Sequence, residues 1–376
     1  MTFTSIIIFL SILFVLVVVH ELGHFLLAKY YKMRVDEFAF GFPPRLLSKK
    51  IGETLYSFNL IPLGGYVKIF GENGMEEEDL KKLSDKDRGS LFGSYNPYRR
   101  IAVLSGGVIF NVIAAFVFFA ISLMYGSNLF LTPEEAMATP HTSRDLLIVE
   151  INPQSPLLEA GLTPGSEILE LSADGKTLSG QELTSASAST FVQTHPDSII
   201  GITYLQNGET KVVNVVPKAG IVEGKKILGA KFADSAFKKF SFIESIGQAA
   251  KLTYDNLKFI FLGLFELIYN LIYKDARVED SVSGPVGLAV LTSKVATQGT
   301  SEILFFAGLL SLSLAVFNIL PIPALDGGRI VFVLWEIVTG KKVKSTIEQL
   351  FHGLGFLALI ALMLFVTYYD IVKALN

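Results

Sequence analysis

Four stretches of nearly pure hydrocarbon, near residues 4–27, 101–124, 303–320 and 350–369, govern what this chain can fold into. Each is about as long as the ~20 residues a helix needs to cross ~30 Å of bilayer hydrocarbon. In that medium the backbone must satisfy its own hydrogen bonds, so helices are the expected form. Composition agrees: 51% of the residues are hydrophobic, only 18% are charged, and the mean hydropathy is +0.49. The net charge of −3 leaves no basic footprint for nucleic acid. The absence of cysteine excludes disulfide and thiol chemistry.

The positive charges orient the spans. Met1 to Ser5 carries no Lys or Arg, so the first run lacks the basic n-region of a secretory signal. Lys29, Lys32, Arg34, Arg45, Lys49 and Lys50 follow it instead, which places the N-terminus outside and residue 29 onward in the cytoplasm. Arg99 and Arg100 precede the second run; Arg329, Lys341, Lys342 and Lys344 follow the third. Four spans therefore put every dense basic flank on one side, with both termini outside. The segment 257–273 is apolar enough for a fifth span, yet it holds Lys258 and Glu266, and an amphipathic helix lying in the interface is an equal reading.

The chain divides accordingly. Residues 1–126 carry spans one and two with a cytoplasmic, membrane-associated β segment (29–98). Within it ETLYSFNLIPLGGYVKIFGE reads as a short hairpin or bent sheet, GFPP at 41–44 as a turn, and 75–90 as a solvated charged loop. Residues 127–237 form an outer α/β domain. Its strands are expected at 146–151, within 155–171 behind a short helix and a turn, and in 198–217 around a tight Asn207-Gly208 turn. Residues 238–300 hold the interfacial helix and a linker, and 301–376 hold spans three and four. The expected fold class is a mainly α-helical polytopic membrane protein with four transmembrane helices, a membrane-associated β-element and an extracytoplasmic α/β domain.

Chemistry concentrates at the end of span one, where the chain reads His20-Glu21-Leu22-Gly23-His24. On a helix, positions i and i+4 share a face. The two imidazoles can hold one zinc ion, with Glu21 beside it as general base. Charged groups at membrane depth cost roughly 2.5–3.5 kcal/mol each on the insertion scale, and a divalent metal offsets that cost. A third ligand is required, and Asp326 in FNILPIPALDGGR (317–329) is the best candidate. Pro321 and Pro323 break the helix before it and Gly327-Gly328 follow, so an unwound segment can turn Asp326 inward. A plain helix end with a turn is the alternative for that motif alone. In the four-span topology Asp326 and the two histidines share a depth, which favours the interfacial reading of 257–273.

At these residues the chain resembles the site-2 protease family, the zinc intramembrane metalloproteases, and within it the bacterial RseP/RasP type. The carriers of the resemblance are H-E-x-x-H in the first span and N-x-x-P-x-x-x-L-D-G, here Asn318, Pro321, Leu325, Asp326 and Gly327. SPLLEAGLTPGSEILEL resembles the PDZ pattern, which makes the outer domain PDZ-like, and only one such unit fits between 128 and 237. The chain departs from the family at Leu104-Ser105-Gly106-Gly107, where relatives show Ala-Gly-Pro before the Asn matched by Asn111, and at Ser166, where Asp is usual.

The resemblance implies zinc ligands at His20, His24 and Asp326, a catalytic Glu21, and a substrate contact at Asn318. It implies a zinc-dependent endopeptidase that cuts transmembrane segments of single-span membrane proteins in regulated intramembrane proteolysis. Substrates of that kind include anti-sigma factors of stress responses and remnant signal peptides. The expected location is the bacterial inner membrane, with the PDZ domain extracytoplasmic and the active site near the cytoplasmic side. The β segment 53–70 offers an edge to which an extended substrate adds. The PDZ-like domain binds a peptide or another periplasmic-side ligand, or acts as a size filter. Rival readings are a catalytically dead PDZ scaffold, a transporter with a broken-helix ion site, and an anchored protease acting on soluble substrates. The intact polar set counts against the first, and the lack of paired broken helices against the second.

Overall fold

The computed structural model describes residues 3–72, 82–206, 208–222, 225–273 and 283–375. Part of the expected charged loop 75–90, Asn207 of the expected hairpin turn and part of the segment 238–300 lie outside the described residues. The chain forms two units, Met1–Tyr125 with Phe240–Asn376, and Gly126–Lys239.

Helix α1 spans Phe3–Tyr30. Its buried positions, Ser5, Phe9, Ile12, Leu16, Gly23, His24 and Ala28, recur at helical spacing and form one stripe. That stripe carries His24 to the packed end of the helix, while Phe3, Ile7, Leu10 and Phe14 stay exposed on the outer faces. Two long antiparallel strands follow, β1 (Val35–Ile51) and β2 (Thr54–Ile69). Each is bent, so the pair folds into four rows. Glu37 to Phe40 face Lys68 back to Gly65 on one side and Leu55 to Phe58 on the other, and Arg45 to Ile51 close against Asn59 to Thr54. Gly41, with φ of 79°, makes the bend, and Asn59 donates its amide to the Gly41 carbonyl at 2.9 Å. The GFPP turn thus lies inside β1. Gly65–Ile69 is an outer row, paired on one side only among the described residues.

The second apolar run splits in two. Helix α2 (Pro97–Leu104) is capped by Asn96, and α3 (Gly106–Tyr125) starts after a break at Ser105.

The inserted unit carries β3 (Ser127–Phe130), α4 (Pro133–Ala138), β4 (Asp145–Ile151), α5 (Pro156–Glu159), β5 (Glu167–Ala173), β6 (Lys176–Ser179) and α6 (Ser185–Thr194). It continues with β7 (Ile200–Gln206), β8 (Glu209–Val215), β9 (Lys218–Val222), β10 (Lys225–Ile227) and β11 (Ala230–Lys238). Its main sheet runs β3-β11-β4-β5-β7-β8 with β6 beside β5, and β9 and β10 pair separately. The expected strands appear as β4, β5, β7 and β8; β3, β11 and α6 were not legible. Ile148, Leu157, Leu162, Ile168, Leu171, Ile200 and Ile202 fill the core. Gly161, with φ of 89°, makes the turn that buries Leu162. Beneath α6, Asp234 accepts from the Ser185 amide at 2.9 Å and hydroxyl at 2.6 Å, and faces the fully buried Arg144.

The chain returns through α7 (Phe242–Tyr273), α8 (Pro285–Ala296), α9 (Thr300–Ile319), α10 (Asp326–Thr339) and α11 (Ser345–Leu375). Among the described residues, four helices are long and apolar enough to cross a membrane: α1, α3, α9 and α11. Helix α7 is not among them; it lies along α3 and α9. Helices α3 and α9 are joined by small polar side chains that satisfy backbone carbonyls without water. Ser122 donates to the Ser301 carbonyl at 2.9 Å, Ser301 to the Ser122 carbonyl at 3.0 Å, and Ser311 to the Asn111 carbonyl at 2.7 Å.

Candidate metal centre

Helices α1, α3 and α10 meet where glycines remove the side chains between them. A Cβ on Gly23 would lie 2.2 Å from the Gly106 carbonyl oxygen, and one on Gly106 would lie 2.6 Å from that of Gly23. Here α1 and α3 touch backbone to backbone. One residue on, a Cβ on Gly107 would lie 2.4 Å from Cε1 of His20 and 2.5 Å from Nε2 of His24. The missing side chain is the room the two imidazoles occupy.

The third partner arrives on a broken helix. After α9 ends at Ile319, residues 320–325 run irregularly, held by short turns from Ile322 to the Leu320 carbonyl and from Leu325 to the Ile322 carbonyl. Asp326 is the first residue of α10 rather than part of the unwound stretch. Gly327 and Gly328 pack against the carbonyls of Leu320 and Ile322 at distances that leave no space for a Cβ. This close return aims Asp326 at α1.

The result is one converging set of donors. Oδ2 of Asp326 lies 3.2 Å from Nε2 of His20 and 3.3 Å from Nε2 of His24, and the two nitrogens are 3.2 Å apart. Among the described residues this is the group of His and acidic side chains whose geometry could hold a metal ion. Protonation makes the case physical. Nδ1 of His24 donates to the Val103 carbonyl at 2.8 Å, so its Nε2 presents a lone pair. Nδ1 of His20 lies 3.2 Å from the Asn111 amide, whose Oδ1 is otherwise buried without a partner. With the amide turned so that Oδ1 accepts from Nδ1–H, His20 also presents a lone pair at Nε2. Oδ2 of Asp326 is itself buried without a hydrogen-bond donor. Two lone pairs and a carboxylate oxygen facing one point repel each other unless a cation sits between them. Two imidazoles and a carboxylate are the ligand types of a catalytic zinc site with an open position.

Glu21 stands outside this set. Its stem rests against the outer row of the sheet, where a Cβ on Gly65 would lie 3.2 Å from its Cγ. Asn318 turns its amide back to the Leu314 carbonyl at 3.0 Å and makes no hydrogen bond to the three donors. Two ion pairs frame the site. Arg329, one turn after Asp326, pairs with Glu72 just beyond β2, and the buried Arg100 of α2 pairs with Glu336 of α10. Val103, Asn111, Gly107 and Glu72 were not foreseen in these roles. The Gly106-Gly107 pair was the available signal, since adjacent glycines in an apolar helix mark close approach.

The model of peptidase family M50 matches residues 8–362. A zinc metalloprotease by name from Clostridium acetobutylicum is 32% identical, with all of both chains aligned. The zinc metalloprotease RasP of Geobacillus kaustophilus is 29% identical over 99% of each chain. The regulator of sigma-W protease RasP of Bacillus subtilis is 27% identical over 98% of each. An apolar helix bearing H-E-x-x-H, a carboxylate brought to it by a broken helix, and a family match across nearly the whole length lead to one conclusion: the chain belongs to peptidase family M50, the site-2 proteases, and is a zinc metalloprotease.

Proposed function

We propose that this protein is an intramembrane endopeptidase whose zinc is held by His20, His24 and Asp326 and whose general base is Glu21. The observation that carries the reading is the convergence of those three donors, all within hydrogen-bonding distance, at the end of a helix long and apolar enough to cross a membrane. Bound zinc supplies Lewis-acid polarisation and an acidified water. The chain's own residues do the rest. Glu21 accepts the proton of the attacking water and passes it to the leaving amine nitrogen. The Val103 carbonyl and Asn111 hold the two imidazoles in the tautomer that turns Nε2 toward the metal.

A transmembrane helix hides its carbonyls in hydrogen bonds, so the substrate must be cut in extended form. The outer row Gly65–Ile69 is paired on one side only among the described residues and lies against Glu21, which suits strand addition beside the base. Asn318, at the end of α9, is the further substrate contact. A half-open cavity of about 380 Å³, lined by Glu72, Arg100, Arg329 and Glu336 together with apolar residues such as Phe92 and Phe332, adjoins the helical turn after Asp326.

The substrates are single-span membrane proteins, such as anti-sigma factors or remnant signal peptides. The relative named for sigma-W regulation supports the first class. The termini and the inserted unit lie outside a bacterial inner membrane, with the site near the cytoplasmic face, a reading that the basic flanks support. The inserted unit is a PDZ-like domain that recruits or filters substrates.

The test is cleavage of a single-span model substrate, already trimmed on its outer side, co-expressed with the native protein or with Glu21→Gln. Cleavage within the span, falling by about 10²–10⁴-fold in the variant while zinc stays bound, is the expected result. Persistent cleavage by the variant would remove Glu21 from its role. Cleavage of soluble peptides but never of the span would overturn the intramembrane reading.

A further inference from the structure

Helix α11 reaches the metal-ligand loop at two consecutive residues. A Cβ on Gly355 would lie 2.1 Å from Cβ of Pro323, so the glycine lets the helix press on the loop. Three residues earlier, His352 receives the backbone N–H of Ala324 on Nδ1 at 2.9 Å. Ala324 has φ of 73°, a left-handed conformation that a residue with a Cβ keeps only where its surroundings fix it. The conformation matters because it turns the chain between Pro323 and the start of α10, two residues before Asp326. The imidazole is wedged between α10 and α11, with the Phe332 ring 5.6 Å away and the Phe351 ring 6.1 Å away. Accepting on Nδ1 fixes the proton on Nε2, which is buried without a partner. That is a costly arrangement to keep for packing alone.

We propose that His352 is the positioning residue for Asp326: as a hydrogen-bond acceptor it holds Ala324 left-handed, and so sets the rotation at which the carboxylate meets His20 and His24. The role rests on the reading of those three residues as the zinc ligands. His352 touches neither metal nor substrate; it acts through the loop, as the outer partners of metal ligands do.

The test uses the full-length protein in detergent, with zinc affinity measured by competition against a chromophoric chelator. His352→Asn places an amide oxygen where Nδ1 stands, and His352→Gln places it where Nε2 stands. The asparagine variant is expected to bind zinc within about threefold of wild type, and the glutamine variant 10–100-fold more weakly. His352→Leu, without an acceptor, should match glutamine. Equal weakening in Asn and Gln would reduce His352 to packing and overturn the proposal, as would wild-type affinity in Gln and Leu. A wild-type protein that takes up no zinc would overturn the ligand reading, and the role of His352 with it.

Discussion

Replacing Gly107 by alanine should empty the metal centre while leaving the helices assembled. The new Cβ would fall 2.4–2.5 Å from atoms of both His20 and His24, where ordinary contact begins at 3.4 Å. The shortfall, 3.4 minus 2.4, is about 1 Å. Both imidazoles are tethered, His24 to the Val103 carbonyl and His20 to Asn111, so the clash is relieved only by breaking one of these contacts and displacing an imidazole. Metal–ligand distances tolerate about 0.2 Å. A shift several times larger removes one nitrogen from the ligand set. Zinc affinity is expected to fall by at least about 100-fold, the upper end of the loss for disturbing a ligand from outside its shell. The cost to the fold is that of one overpacked methyl, about 1–3 kcal/mol, because the atoms it meets are side chains. Chelator competition on the purified variant, with helicity followed by circular dichroism, separates the two effects. A Gly107→Ala protein that holds zinc within threefold of wild type would refute the argument that this glycine is the room for the imidazoles.

Two further outcomes concern the inserted unit. Asp234→Ala leaves Arg144 buried without its carboxylate and strips the start of α6 of two hydrogen bonds, so that unit should lose about 3–5 kcal/mol while zinc binding is unchanged; pulsed proteolysis reads the first and chelator competition the second. Burial, and then Asp145 nearby, raises the pKa of Glu167. A carboxyl raised in the folded state contributes stability below its unfolded pKa and loses it as pH rises through the folded one. Glu167→Gln should therefore protect β5 from hydrogen exchange at neutral pH, by at most about 1 kcal/mol since water still reaches the group, and make no difference below the carboxylate range.

The membrane helices were legible because apolar length is a property of contiguous residues. The runs near 4–27, 303–320 and 350–369 became α1, α9 and α11 with ends shifted by a few residues. The break at Ser105 inside the second run was not visible, since nothing in its hydropathy marks it. His20, Glu21, His24 and Asp326 were legible as a motif, and the structure brings the two histidines and the aspartate together. What fixes them was not. The Val103 carbonyl is 79 residues from His24 in sequence, Asn111 is 91 from His20, and His352 is 28 from Ala324. Such contacts have no local periodicity to read. The sheet shows the same limit. The β-forming residues of 53–70 were legible as a short hairpin or bent sheet, but they form one bent strand, β2, paired with a β1 that was not foreseen; the pairing of Glu37–Phe40 with two different parts of β2 depends on a fold-over that no single window contains.

The Gly23–Gly106 crossing has a consequence for how this protein can vary. Peptide groups have no rotamers, so a contact made by two backbones cannot be repacked by substitution elsewhere or loosened by side-chain motion. The two histidines are referenced to α3 through that contact, and through the Gly107 and Asn111 that follow it on the same helix. The bulky residues on the outer faces of α1 and α3, such as Phe14 and Ile113, can therefore drift among apolar types to suit one lipid composition or another, and the donor atoms will not register the change. The frame of the site is insulated from its solvent at the cost of positions that admit no side chain at all.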